Sequence, residues 1–186
     1  MQALLISLVA VAFAEVGDKT QLLALVLAAR YRRPWPICAG ILVATLVNHA
    51  LAGEAGVLLA QLLSPGVLRW LLGLSFLSVA VWALFPDKIG AEEAKRTSHY
   101  GVFVATAIGF FLAEMGDRTQ VATAMLAAHY QPLWAVIAGT TLGMLAANVP
   151  VVFLGARFAH RLPMRATRLV ASALFAVLGV LILLRG

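Results

Sequence analysis

The chain has 186 residues, of which 62% are hydrophobic and 12% are charged. A water-soluble domain has about 45 to 50% apolar and about 25% charged residues, so a large soluble catalytic domain is excluded. The composition predicts an all-α integral membrane protein that is not an enzyme. The excess of 14 basic over 8 acidic residues is interpreted as a marker of membrane orientation rather than of nucleic-acid binding.

Six apolar runs follow one another along the chain and predict six transmembrane helices. They cover approximately residues 3–29, 36–61, 67–85, 101–128, 133–156 and 167–184. The first and fourth runs are longer than a hydrocarbon core of about 30 Å requires, so each must tilt or break. An Ala-x-Ala pattern at residues 12–14 resembles a signal-peptidase site. Because the apolar run resumes beyond Thr20, we expect a retained helix.

The distribution of basic residues predicts the orientation of these helices. The first, third and fifth loops and their flanks carry ten cations: Arg30, Arg32, Arg33, Lys88, Lys95, Arg96, Arg157, Arg161, Arg165 and Arg168. The opposite side carries only Arg69 and Arg185. Since basic residues collect on the cytoplasmic side, we expect a multi-pass protein of a bacterial-type inner membrane with both termini outside.

The chain also repeats itself. A gapless shift of 99 residues aligns AEVGDKTQ at 14–21 with AEMGDRTQ at 113–120. The match continues through Trp35/Trp134 and Gly40/Gly139. We therefore expect a first three-helix repeat at 1–86, a cytoplasmic linker at 87–99 and a second three-helix repeat at 100–186. Because three is odd, the second repeat enters the membrane from the opposite side, an inverted topology that is typical of secondary transporters with a site near mid-bilayer.

Four acidic residues lie about halfway along the first and fourth runs: Glu15, Asp18, Glu114 and Asp117. A charge at the bilayer centre costs at least about 2.5 to 3.5 kcal/mol, so these groups must face each other, water or an ion. The two acids of each motif are three residues apart and share one helix face. Gly17 and Gly116 lie between them and allow the backbone to loosen. We expect the two faces to converge on one site at which all four carboxylates are metal ligands.

Oxygen donors of this kind suit hard or borderline divalent cations such as Mn²⁺ and Ca²⁺. Cys38 stands alone, which excludes an intrachain disulfide and a multi-thiolate metal site.

The residues expected around the ligands as neighbours or gates are Lys19, Thr20, Gln21, Arg118, Thr119 and Gln120. Since like charge repels a cation, Lys19 and Arg118 are expected to be partners or gates, and either could stand in for the metal.

Weaker ligand candidates are Asn48, His49, Asn148 and Met115. For the three polar residues, a satisfied hydrogen bond between helices is the competing interpretation. For Met115, the competing interpretation is packing at a helix interface.

The formal charges of the two motifs predict an exchange reaction. Four carboxylates with Lys19 and Arg118 leave a charge of −2, which one divalent cation or two protons would neutralise. Metal and protons therefore compete for one site, and rocking of the repeats would make a metal/proton antiporter. Because the outside of a bacterial membrane is the acidic side, we infer export. The metal is then substrate rather than a permanently bound cofactor, and the sequence leaves a homodimer open.

The two hexapeptides EVGDKT and EMGDRT resemble the paired Glu-x-Gly-Asp-(Lys/Arg)-(Thr/Ser) signatures of the Gdt-type cation exporter family. The resemblance covers essentially the whole chain, with no departure from either motif. It implies Mn²⁺ or Ca²⁺ transport in exchange for protons, and bacterial members are similar to manganese exporters. Carried over by position, the motif residues are Glu15, Asp18, Lys19, Thr20, Glu114, Asp117, Arg118 and Thr119.

Two other functions remain open at this point. A small-solute exporter of the lysine-exporter type shares the compact six-helix layout, and its flux would survive removal of divalent metal. A non-transporting membrane assembly factor would use the acids as a salt-bridge lattice between helices. Carboxamide replacements would then lower stability without changing any flux.

Overall fold

The computed structural model describes residues 1–85, 101–155 and 164–185. Within these ranges the chain forms eight helices and no strand, which confirms the all-α prediction. The helices are α1 (Gln2–Glu15), α2 (Lys19–Tyr31), α3 (Pro34–Leu62), α4 (Pro65–Trp82), α5 (Val102–Glu114), α6 (Arg118–His129), α7 (Leu133–Leu154) and α8 (Met164–Arg185). The expected linker at 87–99 lies outside the described residues.

The helices follow the predicted apolar runs, with one difference that is repeated in both halves. The first run divides into α1 and α2, and the fourth divides into α5 and α6. Each long run therefore breaks, and the break falls at the acidic motif.

Each break is a type II β-turn. In the first motif, the Asp18 N–H donates to the Glu15 carbonyl oxygen at 3.1 Å. Val16 has φ −65° and ψ 116°, and Gly17 has φ 83°, the values that such a turn requires at its two central positions. The second motif has the same turn at Glu114, Met115 (φ −62°, ψ 121°), Gly116 (φ 75°) and Asp117. A glycine is needed at the third position because L side chains rarely adopt a positive φ.

Three of the helices are long and apolar enough to cross a membrane: α3, α4 and α7. The 29 residues of α3 extend about 44 Å at 1.5 Å per residue. Helices α1 and α5, and the 168–184 part of α8, are apolar but shorter. A six-span inverted arrangement, in which each broken pair counts as one span, stays a prediction.

The two halves interlock through equivalent contacts. Helix α1 packs against α7, and α5 packs against α3, so the first helix of each sequence repeat lies on the long helix of the other repeat. Both contacts are close at a glycine. A Cβ added at Gly139 would lie 2.9 Å from the Ser7 Cβ, and one added at Gly40 would lie 2.7 Å from the Thr106 Cβ. Helix α4 packs on α8, where the Phe76 ring stacks on the Phe175 ring.

Polar and apolar residues are distributed as expected for a protein in lipid. Large apolar side chains are exposed on the outer faces of the helices, among them Leu46, Leu74 and Phe153. The carboxylates of the two motifs are buried instead, and Glu15 and Glu114 are each 0% exposed. The interior therefore holds the charges of the motifs, and the outer faces of the helices are largely hydrophobic.

Candidate cation site

The acidic motifs of the two repeats meet in the interior. One carboxylate oxygen from each of Glu15, Glu114 and Asp117 lies within 4.8 Å of the others, and all three residues are buried. These three residues are called the carboxylate trio below. Asp18 lies outside the trio, so the geometry groups three of the four predicted ligands. Two of the three come from the second repeat.

The two glutamates of the trio are bound in the same way. The Thr20 hydroxyl donates to Glu15 Oε2 at 2.6 Å, and the Thr119 hydroxyl donates to Glu114 Oε2 at 3.0 Å. The Oε1 atoms of both glutamates are buried and accept no hydrogen bond from any described residue. A buried carboxylate oxygen without a donor is costly, and a bound cation or proton would satisfy it.

Asp117 has a second structural role as the N-cap of α6. Its Oδ2 accepts hydrogen bonds from the Thr119 N–H at 3.3 Å and from the Thr119 hydroxyl at 3.1 Å. That hydroxyl carries one proton and also lies against Glu114. It therefore bridges two members of the trio. Asp117 Oδ1 is 3.3 Å from the Lys19 Nζ.

Two ion pairs connect the repeats, and they occupy equivalent positions. Lys19 of the first repeat pairs with Asp117 of the second, and Arg118 Nη2 of the second repeat lies 2.6 Å from Asp18 Oδ1 of the first. Each basic residue therefore pairs with a motif acid of the other repeat. The local formal charge of −2 is also retained, because two cations face four carboxylates.

The glutamines hold the turns in place. The Gly17 N–H donates to Gln21 Oε1 at 3.0 Å, and the Gly116 N–H donates to Gln120 Oε1 at 2.8 Å. Each glutamine is the third residue of its helix and reaches back past the N-cap aspartate to the N–H of the residue before it, one residue further than in a capping box. The motif thus specifies a helix end, a turn and a capped helix start in eight residues.

The other end of each glutamine side chain distinguishes the two repeats. Gln21 Nε2 donates to the Ala147 carbonyl oxygen on α7 at 3.0 Å. Gln120 Nε2 donates to Asn48 Oδ1 on α3 at 3.2 Å, and Asn48 Nδ2 donates to the Phe111 carbonyl oxygen on α5 at 3.0 Å. Asn48 therefore makes the predicted bonds between helices. The part played by Ala147 could not be predicted, because any residue type supplies a backbone carbonyl.

His49 and Asn148 make no hydrogen bond to another helix among the described residues. Asn148 Nδ2 donates within its own helix to the Met144 carbonyl oxygen at 3.1 Å. Its Oδ1, like both ring nitrogens of His49, is buried and has no hydrogen-bond partner among the described residues. Buried hydroxyls in the same condition belong to Ser7, Thr45 and Thr141. The only sequence signal for these three is a polar residue within an apolar run.

Met115 lies at the surface of the second motif. Its side chain is 52% exposed, and its sulfur accepts a hydrogen bond from Gln120 Nε2 at 3.8 Å. Both residues line a cavity of about 360 Å³ between α3 and α6. Met115 and Gln120 therefore line one side of the second motif.

Comparison with known proteins gives one consistent result. A family model described as "Divalent cation/proton antiporter GDT1" matches residues 3–91 and 102–186. The "Putative manganese exporter" of Vibrio cholerae is 53% identical over 181 residues, which are 97% of this chain and 90% of the relative. A GDT1-like protein of Synechocystis is 29% identical, with 93% of this chain and 92% of the relative covered. No solved structure matches.

A plant relative matches in the same way. GDT1-like protein 3 of rice is 28% identical over 93% of this chain and 70% of its own length. None of these matches favours a small-solute exporter or an assembly factor, and the family is one of transporters rather than of enzymes. The matched residues include both acidic motifs, and the chain therefore belongs to the GDT1 family of divalent cation/proton antiporters.

Proposed function

We propose that the protein exports Mn²⁺ in exchange for protons by alternating access, with the carboxylate trio as the principal ligands. The observation that carries the proposal is the convergence of three buried carboxylate oxygens, from both repeats, within 4.8 Å of one another. Asp18 contributes charge beside them through its pair with Arg118. One chain supplies all of these groups, so the exchange needs no second copy.

The choice of metal is supported by the donor set and by a relative. Carboxylate and hydroxyl oxygens suit Mn²⁺ and Ca²⁺ better than soft ions. The Vibrio cholerae relative is named as a manganese exporter. We therefore place Mn²⁺ first and Ca²⁺ second as the transported ion.

Coupling to protons follows from competition for the same oxygens. A metal ion needs deprotonated carboxylates, and a net charge of −2 is neutralised equally by one divalent cation or by two protons. Exchange of one Mn²⁺ for two protons leaves the net charge of the site unchanged. The site can then be exposed to either face of the membrane, with metal or with protons bound, at similar electrostatic cost.

Alternating access is supported by the repeat. Each broken helix pair, α1–α2 or α5–α6, would cross the membrane once and present its break at mid-depth, as in transporters with discontinuous helices. The equivalent ion pairs and glycine contacts favour inverted repeats around one site. We place the termini outside and the 87–99 linker in the cytoplasm of a bacterial-type inner membrane.

The orientation can be tested by cysteine labelling. The chain has one cysteine, so a Cys38→Ser variant provides a background for single cysteines at Gln2 and in the 87–99 linker. An impermeant thiol reagent added to intact cells should label only the first position. Labelling of the second position alone would contradict the orientation.

The function can be tested in proteoliposomes with an imposed pH gradient. Mn²⁺ should move opposite to the protons in the wild type, and Glu15→Gln should abolish the flux because a ligand is lost. Glu54→Gln is the matched control, since Glu54 is an exposed acid on α3. Unchanged flux in the Glu15→Gln variant, or flux that ignores the pH gradient, would contradict the proposal.

A further inference from the structure

The two ion pairs are equivalent in sequence but lie in different surroundings. The Arg118 and Asp18 side chains are 2% and 0% exposed, and their charged atoms are 2.6 Å apart. Lys19 is 19% exposed, Asp117 is 1% exposed, and their charged atoms are 3.3 Å apart. One pair is therefore enclosed, whereas the other has a cation that reaches the surface of the protein.

The pairs also differ in their relation to the carboxylate trio. Asp117 belongs to the trio, and Asp18 does not. The N–H and the hydroxyl of Thr119 both lie against Asp117 Oδ2, so Oδ1 is the oxygen of Asp117 that is more open to a metal. That oxygen is the one that faces the Lys19 ammonium. A metal ion and Lys19 therefore need the same atom.

We propose that Lys19 is an internal competitor of the transported cation, which yields Asp117 Oδ1 when the metal binds and returns to it when the metal leaves. This inference rests on the proposed function and assigns to Lys19 the role of setting how easily the metal is released. Arg118 has a different role, that of a permanent partner of Asp18.

The chemistry of the two side chains fits this division. A lysine ammonium is a compact charge on a flexible stem and can swing while its donors remain in water. Since an ammonium is costly in hydrocarbon, the exposed side of Lys19 requires water rather than acyl chains. Arg118 is enclosed, and its departure would leave the Asp18 carboxylate buried without its charge partner, which is strongly unfavourable.

The test is Mn²⁺ binding by the full chain in lipid nanodiscs, measured by calorimetric titration, together with proton-driven Mn²⁺ flux. Lys19→Gln should lower the Kd for Mn²⁺ by about ten-fold or more, because a unit charge near a ligand oxygen is removed. The same variant should transport more slowly at saturating Mn²⁺, because release is slower. Lys19→Arg keeps the charge and should bind Mn²⁺ within about three-fold of the wild type.

The equivalent residue of the other repeat is the matched control. Arg118→Gln should lower the melting temperature and should tighten Mn²⁺ binding much less than Lys19→Gln does, because its ion-pair partner Asp18 lies outside the trio. If both glutamine variants tighten binding equally, general charge explains the effect and the inference is overturned.

Further outcomes separate this inference from the proposed function. An unchanged or raised Kd in Lys19→Gln, with normal binding by the wild type, overturns the inference alone. Absence of Mn²⁺ binding by the wild type overturns the proposed function and this inference with it. Should Lys19→Gln fail to fold, a structure of the wild type with Mn²⁺ decides. Lys19 Nζ should then lie more than about 4 Å from Asp117 Oδ1, and an intact pair beside bound metal overturns the inference.

Discussion

At the scale of single residues, the threonines of the two motifs contact different numbers of carboxylates. The Thr119 hydroxyl lies 3.0 Å from Glu114 Oε2 and 3.1 Å from Asp117 Oδ2, whereas the Thr20 hydroxyl lies 2.6 Å from Glu15 Oε2. Groups that orient metal ligands matter almost as much as the ligands themselves. Thr119 orients two members of the trio and Thr20 orients one.

We therefore predict that Thr119→Val weakens Mn²⁺ binding on the order of 10- to 100-fold, and that Thr20→Val has a smaller effect. The hydroxyl is lost in both variants, but two ligands lose their donor in the first. Calorimetric titration in nanodiscs measures the two dissociation constants. Serine at either position keeps the hydroxyl and should restore most of the affinity, and the reverse ranking of the valine variants would contradict the assignment.

A second residue-scale prediction concerns pH. Metal ligation needs deprotonated carboxylates, so the apparent affinity for Mn²⁺ should fall as the pH is lowered from about 8 to about 6. Glu114→Gln removes one proton-binding group from the trio. Its Mn²⁺ binding should be weaker at every pH and should change less steeply with pH. An equally steep dependence in this variant would show that protons act elsewhere.

At the scale of elements, each hexapeptide motif, EVGDKT or EMGDRT, interrupts a helix. The glutamate ends one helix, and glycine supplies the positive φ of a type II turn. The aspartate is at the N-cap of the next helix, and the Asp117 side chain caps α6 by accepting from the Thr119 N–H. The sequence predicted that each long run tilts or breaks, and the break is what occurs. The residue types between 15 and 18 are consistent with this turn, but an apolar context on both sides also favours a continuous helix. Only the backbone conformation decides between the two.

The positive φ of Gly116 predicts a specific cost for alanine at this position. A Cβ there meets nothing within 4 Å, so the φ of 75° is the only source of strain. We expect Gly116→Ala to lower stability by about 1 kcal/mol or more and to reduce Mn²⁺ flux. Thermal unfolding in detergent measures the first effect and proteoliposomes measure the second.

Gly66→Ala is the matched control for that experiment. Gly66 lies in α4, and a Cβ there also meets nothing within 4 Å, but its φ is not positive. This change should leave the melting temperature equal or raise it, because alanine favours helix. Equal losses at both glycines would contradict the turn as the cause.

At the scale of the whole molecule, the repeats are not two side-by-side bodies. The first helix of each repeat packs on the long helix of the other, and the contacts are close at Gly40 and at Gly139. This exchange places the C-terminal ends of α1 and α5 beside each other, and the motif acids follow directly. The proposed rocking of one repeat against the other would therefore carry α1 and α5 with it.

We predict that alanine at Gly40 or at Gly139 lowers stability by about 1 to 3 kcal/mol, the usual cost of overpacking. A Cβ at Gly40 would lie 2.8 Å from the Phe103 carbonyl oxygen, and one at Gly139 would collide with the Leu4 carbonyl oxygen. Because backbone atoms cannot move aside easily, both variants should lose melting temperature to a similar extent. A large loss in one variant only would show that the two contacts are not equivalent in energy.

The amino-acid sequence by itself determined the class of protein, the helical runs, the sequence repeat and the candidate ligand acids. These properties depend on residue type and on local spacing, and the cost of charge in an apolar run makes Glu15 and Glu114 conspicuous without any coordinates. The identity of Lys19 and Arg118 as partners rather than ligands also followed from charge alone.

Only the tertiary structure decided which of the four motif acids form the carboxylate trio and which pairs with arginine. The trio combines Glu15 with Glu114 and Asp117 and leaves Asp18 with Arg118, although the two motifs have almost the same sequence. Distances between residues about 99 positions apart depend on how whole helices pack, and small differences in packing bury Arg118 while leaving Lys19 partly exposed. A near-symmetric sequence predicts a near-symmetric site, and it is the packing of the helices around it that makes the two halves chemically different.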